Sequence, residues 1–211
     1  MTFDYQPPRG DLAIVHEDAA LLVVEKPAGL LSVPGKDPAH GDCVLSRLVA
    51  LRPEALLVHR LDMDTSGLMI FARHKKAQRH LGLQFERRHI GKVYEALVEG
   101  EIADESGEVD LPLIVDWPHR PLQKICHETG RAAQTSWEVI AREKGCTRVR
   151  LCPKTGRSHQ LRVHMLALGY PIVGDRFYGT PDQRLMLHAA ELSLYHPDGG
   201  ARVVFNSPVP F

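Results

Sequence analysis

Nine consecutive residues, His59-Arg60-Leu61-Asp62-Met63-Asp64-Thr65-Ser66-Gly67, hold two carboxylates, an arginine, a histidine, two hydroxyls and a glycine. Apolar residues flank them, Leu56-Leu57-Val58 before and the run 68–72 after. The stretch therefore reads as a polar loop between two buried segments, where a rigid scaffold displays working groups. Asp, Thr, Ser and Gly also make ordinary turns, and two further clusters turn the balance. Residues 73–92 carry seven cations (Arg73, Lys75, Lys76, Arg79, Arg87, Arg88, Lys92) against one acid, Glu86. In a chain of zero net charge this imbalance suggests a surface that meets phosphates. The third cluster is Lys154-Thr155-Gly156-Arg157-Ser158-His159-Gln160-Leu161-Arg162-Val163-His164, and no acid occurs from 153 to 174. Its glycine precedes an expected helix N-terminus, a place suited to an anion, and Arg157, His159, Gln160, Arg162 and His164 add donors. His159 and His164 are five residues apart, a poor fit to one helical face, so they read as hydrogen-bonding histidines and not as a metal pair.

A carboxylate at a buried edge needs a cationic partner to stay ionised at neutral pH. Asp62 is the carboxylate and Arg162, leaving an otherwise apolar helix, the chosen partner; such a pair would orient Asp62 as a nucleophile or base. Tyr94, in Lys92-Val93-Tyr94 beside the basic helix, is either a core tyrosine with its hydroxyl at the rim or a ring set against a flat substrate. Asp64 reads as a turn residue bonded to nearby backbone. Two rival functions remain at this level. One is a metal-dependent phosphotransferase or nuclease with Asp62 and Asp64 on Mg²⁺, which activity in a chelator would exclude. The other is an RNA-binding protein without chemistry, which binding without turnover in an Asp62 variant would separate from an enzyme.

The elements that must position these groups are short. Strands are expected at 12–16, 21–25, 68–72, 93–99, 109–115, 134–141, 147–152, 187–195 and 201–205. Helices are expected at 43–51, at 74–87, where Ala77, Leu81 and Phe85 recur every four residues, and at 158–168, stopped by Gly169. Residues 116–131, broken by Pro118, Pro121 and Gly130, read as an extended loop or exposed hairpin, and residues 1–10 as a loose arm. Strands that come mostly as hairpins favour an α+β class, a mixed and mainly antiparallel sheet with flanking helices. With 211 residues, 44% hydrophobic and 25% charged, and no repeat or linker, the chain reads as one globular domain over 1–211. The four cysteines lack C-x-x-C spacing, and no signal peptide or membrane-length apolar run occurs. A reducing cytoplasm is the expected compartment.

The pattern H-R-L-D-x-x-T-S-G, then K-x-Y, then G-R-x-H-Q-L-R-x-H, in this order and spacing, resembles the RluA family of pseudouridine synthases. Lys26-Pro27-Ala28-Gly29-Leu30 and Pro171-Ile172-Val173-Gly174-Asp175 extend the likeness over most of the chain. Only a ten-residue arm is expected ahead of the first strand, so the S4 RNA-binding domain of many relatives is not expected. The resemblance implies the family's pseudouridine synthase fold and an enzyme that isomerises uridine in structured RNA without cofactor or metal. It makes Asp62 the catalytic aspartate, Arg162 its ion-pair partner, and Tyr94 the residue that stacks on the base and a candidate for removing the ring proton. Arg60 would fill the hole left by the flipped base, an insertion that offsets the cost of extrusion. His59, Lys75, Lys76, Arg79, Lys92, Arg157, His159, Gln160 and Leu161 are the expected RNA- or substrate-binding residues. Within the family the likeness is nearest to short members with two substrates, a tRNA anticodon stem-loop and a 23S rRNA hairpin, whose loops let bases be splayed out. No membrane or protein partner is expected, and the enzyme is expected to be a monomer.

Overall fold

The computed structural model describes residues 5–211. In chain order its elements are β1 (Ala13–Glu17), β2 (Leu21–Lys26), α1 (Val44–Leu51), β3 (Leu56–Leu57), β4 (Ser66–Ala72), α2 (Lys75–Glu86), β5 (Gly91–Glu99) and β6 (Ser106–Asp110). Then follow β7 (Leu113–Val115), β8 (Gln123–Ile125), β9 (Gln134–Glu143), β10 (Cys146–Pro153), α3 (Gln160–Ala167), β11 (Leu187–Tyr195) and β12 (Arg202–Asn206). The pairs β1–β2, β2–β4, β3–β4, β5–β10, β9–β10, β6–β9, β7–β8 and β11–β12 are antiparallel. Three helices and mainly antiparallel strands make the α+β class expected from the sequence. The chain packs as two compact units, one comprising the chain up to Gly91 with 189–209, the other 92–188 with the last two residues.

The first unit is ordered β1-β2-β4-β11, with β12 on β11 and β3 on β4. All seven residues of β4 are buried, which explains why its sequence is a continuous apolar run and does not alternate. Ala77 and Leu81 of α2 lie in one core with Leu68 and Ile70 of β4 and Leu192 and Leu194 of β11, and Phe85 packs against it. The four-residue spacing thus marked the buried face. His74 caps α2 by accepting from the Ala77 N–H, 3.2 Å. Gly67 lies in the left-handed region at φ +112°, and a Cβ there would collide with the Ala189 backbone. That position admits only glycine, for backbone conformation and for space. Residues 1–4 of the expected arm lie outside the described residues. Residues 5–10 contain no helix or strand but are tied down: the Tyr5 hydroxyl donates to the Asp42 carbonyl, and Arg47 donates to the carbonyls of Pro8 and Gly10.

The second unit is ordered β5-β10-β9-β6, with β7 and β8 as a separate two-stranded sheet. The β9–β10 hairpin turns through Lys144 at φ +45° and Gly145 at φ +82°, the conformation a tight hairpin turn requires. The single strand expected at 109–115 is two strands. Pro112 has no N–H to donate, β6 ends before it, and the Leu113 N–H bonds the Arg131 carbonyl. Residues 116–125 complete a hairpin with β7, as one of the two sequence readings of 116–131 had it, with a 3₁₀ turn at Trp117–His119. Leu161 and Met165 of α3 enter the core formed by Ala96, Val98, Val149 and Leu151.

Candidate active site

The polar loop of the first unit is held by its main chain on both sides of Asp62. The Ser32 hydroxyl donates to the Leu61 carbonyl at 2.6 Å and accepts from the Leu61 N–H at 3.1 Å. The Met63 carbonyl accepts from the Lys26 ammonium at 2.6 Å and from the Gly29 N–H at 2.9 Å. Lys26 is fully buried and donates also to the Pro27 carbonyl. A buried ammonium is costly unless hydrogen-bonded, so these two carbonyls fix where the loop passes. His59 accepts from the Ile70 N–H of β4 at 2.9 Å and stacks on Phe85 of α2 with ring centroids 4.8 Å apart. Its ring joins the loop to the scaffold. Between these anchors Asp62 is half-buried and Arg60 is exposed. Lys26 and Ser32 are functional supports that sequence reasoning missed; Lys26 stood in a quoted motif but carried no role.

In the second unit, Lys92 of β5 donates to the Thr155 carbonyl at 2.9 Å, tying the strand that bears Tyr94 to the loop before α3. Tyr94 packs against the core, half-buried. Gln160 and Leu161, expected from the sequence to meet RNA, are internal, at 4% and 7% exposure. The Gln160 amide oxygen accepts from the Thr155 hydroxyl and the Arg157 N–H, and its NH₂ donates to the Gln134 carbonyl and the Thr135 hydroxyl. Both its donors and both its acceptor positions are committed within the unit. Arg157 donates to the Ala132 carbonyl. His159, at φ +53°, bonds the Tyr178 hydroxyl through Nδ1 at 2.7 Å and stacks on Phe177. His164 bonds the Thr135 hydroxyl and, through Nε2, the Leu111 carbonyl. Burial lowers its pKa below the ordinary histidine value, against the pull of the Leu111 carbonyl. The two histidines thus serve separate hydrogen bonds.

Arg162 makes a bidentate ion pair that the sequence reading did not weigh. Its Nε donates to Asp175 at 2.7 Å and its Nη2 at 2.6 Å, with the arginine 2% and the aspartate 0% exposed. Asp175 also accepts from the N–H groups of Phe177 and Tyr178. The rings of those two residues lie about the guanidinium, 5.1 and 5.2 Å from its carbon. The signal was available: Asp175 closes the acid-free stretch and ends the quoted motif Pro171-Ile172-Val173-Gly174-Asp175.

Residues 20–167 match the family model described as RNA pseudouridylate synthase. A curated relative from Vibrio vulnificus, the dual-specificity RNA pseudouridine synthase RluA, is 54% identical over 205 residues, covering 92% of this chain and 82% of its own. The protein of the same name from Escherichia coli is 50% identical over 215 residues, covering 99% and 98%. Among solved structures, human RNA pseudouridylate synthase domain containing 1 is similar at a TM-score of 0.81 and 28% identity, covering 98% of this chain and 87% of that one. The chain belongs to the RluA family of RNA pseudouridine synthases. It is therefore an isomerase that acts on RNA.

The structure sorts the seven cations of the basic segment 73–92. Arg73 is paired with Glu17 and Glu54 and Lys92 with Thr155. Lys75, Lys76, Arg79, Arg87 and Arg88 are exposed. The cations of α2 stand opposite its buried residues Ala77, Leu81 and Gln84, as on an amphipathic surface helix. Replacing Lys75, Lys76 and Arg79 together by Ala is expected to lower the slope of log affinity against log salt by about 2, at roughly 0.7–0.9 per phosphate contact. RNA binding titrated over a salt series measures it, and an unchanged slope would remove α2 from the interface. Among the described residues no group of three or more His, Cys, Asp or Glu side chains is placed to hold a metal ion, and no helix is long and apolar enough to cross a membrane.

Proposed function

We propose that this RluA-family enzyme acts on two RNAs, a tRNA anticodon stem-loop and a 23S rRNA hairpin, with Asp62 as its nucleophile. The observation that carries the dual substrate is the 50–54% identity to relatives named dual-specificity enzymes, over nearly the whole chain. The reaction breaks the bond from C1′ of the ribose to N1 of uracil and forms one from C1′ to C5. The C5 proton leaves and N1 ends protonated, so the isomerisation balances without oxidant, reductant or metal. A carboxylate at the sugar or ring is the group this needs, as in glycosidases. Asp62 supplies it: the loop is clamped at residues 61 and 63 through main-chain atoms, which leaves the side chain for chemistry. Tyr94 stacks on the target base and removes the C5 proton after recombination. Arg162 provides the counter-charge that keeps Asp62 ionised. The pocket must also retain the detached uracil while it turns. The enzyme works as a cytoplasmic monomer and as one catalytic domain, without cofactor, metal or protein partner.

The test is a pseudouridine assay on both RNAs with chelator present. Product on both supports dual specificity; product on one restricts the substrate; loss of activity in chelator would revive a metal-dependent mechanism. Arg60, exposed beside Asp62, is assigned to the space left by the extruded base. Extrusion costs a few kcal/mol, least for an unpaired base. Arg60→Ala is therefore expected to slow turnover on a paired target uridine and much less on a mismatched one. Equal defects on the two RNAs would end the wedge assignment.

A further inference from the structure

The most exposed large apolar side chain of the second unit is Trp117, at 62%. It sits at the tip of the β7–β8 hairpin, and the Arg120 guanidinium lies 3.8 Å from its ring centroid. We propose that Trp117 and Arg120 form a stacking platform for an unpaired nucleotide of the RNA, the base lying on the indole and the guanidinium meeting the adjoining phosphate.

Three observations carry the assignment. The tip is built, not slack. The Asp116 N–H bonds the Leu122 carbonyl, the His119 N–H the Asp116 carbonyl and the Leu122 N–H the His119 carbonyl. The Asp116 carboxylate pairs with His119 at 2.7 Å and Lys124 at 3.1 Å, which holds its pKa below the usual aspartate value. The one acid of the tip is thus neutralised by its neighbours, and Arg120 has no carboxylate partner among the described residues.

The hairpin is also wired to the family motif. The Gln123 N–H donates to the Tyr178 hydroxyl at 2.8 Å, and the same hydroxyl bonds His159 at 2.7 Å. A nucleotide held at the tip is therefore connected through two hydrogen bonds to His159, the residue just before α3 and three positions before Arg162.

The surroundings favour RNA over a protein partner. The four residues that follow Trp117 in the chain, Pro118, His119, Arg120 and Pro121, are all exposed, and two of them are basic side chains instead of the apolar ones that dominate a protein interface core. An exposed aromatic ring with a guanidinium beside it matches how single-stranded nucleic acid is bound, because every base has a π-face and every nucleotide a phosphate.

The experiment uses a single-stranded oligouridylate and an RNA duplex, with the wild-type chain and the variants Trp117→Phe and Trp117→Ala. The chain has two tryptophans, and Trp137 is 8% exposed, so quenchable emission reports on Trp117. Saturating oligouridylate is expected to quench wild-type emission and to leave the Trp137 emission of the Phe variant unchanged. Trp117→Ala should weaken oligouridylate binding about tenfold, and Trp117→Phe less than about threefold, since a smaller ring still stacks. Duplex affinity should change by less than about twofold in either variant, because its bases are already stacked. Arg120→Ala should lower the salt slope for oligouridylate by about one phosphate contact. An unquenched wild-type signal at saturation, equal affinity of the Ala variant, or an equal loss on duplex would each overturn the platform, and the first would leave the indole to a protein partner. Because Trp117 is exposed, all three chains should melt together, and a lowered melting temperature in Trp117→Phe would mark a structural role instead.

Discussion

Asp62→Asn is expected to abolish pseudouridine formation, by at least about 10⁴-fold, while leaving RNA affinity and thermal stability close to wild type. The size follows from the nucleophile role proposed for Asp62, since removing such a group costs about as much as losing a whole catalytic unit. The retained fold follows from how the loop is anchored. Leu61 is held by Ser32, and Met63 by Lys26 and Gly29, through main-chain atoms only. Asp62 itself is half-buried, and the amide has the same shape as the carboxylate. Turnover, RNA affinity and melting temperature should be measured on one preparation, with mass spectrometry to exclude deamidation back to aspartate. Residual turnover within about tenfold of wild type would take the nucleophile role from Asp62. A collapse of stability would instead mean that the carboxylate supports the loop.

Asp175→Ala is expected to destabilise the chain by about 3–5 kcal/mol, the cost of removing one member of a buried ion pair. Arg162, 2% exposed, would lose the Asp175 carboxylate from its Nε and Nη2, and the N–H groups of Phe177 and Tyr178 would lose that acceptor. For a chain of this size that corresponds to a fall in melting temperature of roughly 6–20 °C. The double variant Arg162→Met/Asp175→Leu should recover much of that loss, since neither member of that ion pair remains, but it should stay inactive if Arg162 works in the site. A loss below about 1 kcal/mol in the single variant would mean that water or another group replaces the carboxylate. Recovery of activity in the double variant would remove Arg162 from the mechanism.

Much of the scaffold was legible because it depends on local rules. The apolar run of β4 read as a buried strand and is buried throughout. The four-residue recurrence of Ala77, Leu81 and Phe85 marked the inner face of α2. Gly67 stood in the motif for a reason found only in space, since the Ala189 backbone, 122 positions away, occupies the volume of a Cβ. The break at Pro112 was missed because 109–115 was weighed by its apolar residues and not by the missing donor.

The sequence by itself determined the family, the enzyme class and the residues of the motifs, because residue types at fixed spacing identify a chemistry before any fold is known. The tertiary structure decided what each polar group in those motifs is bonded to. Gln160 and Leu161 look as available as Arg157 when written in a line, yet one is wholly hydrogen-bonded inside its unit and the other is core. Lys26 looks like a surface lysine and is a buried strut under the Asp62 loop. Arg162 finds Asp175 thirteen residues on, through a turn that no local propensity specifies. The physical reason is common to these cases. Burial and hydrogen bonding of a side chain depend on which distant backbone passes beside it, and that is a property of packing, whereas helical and strand periodicity is a property of neighbours along the chain.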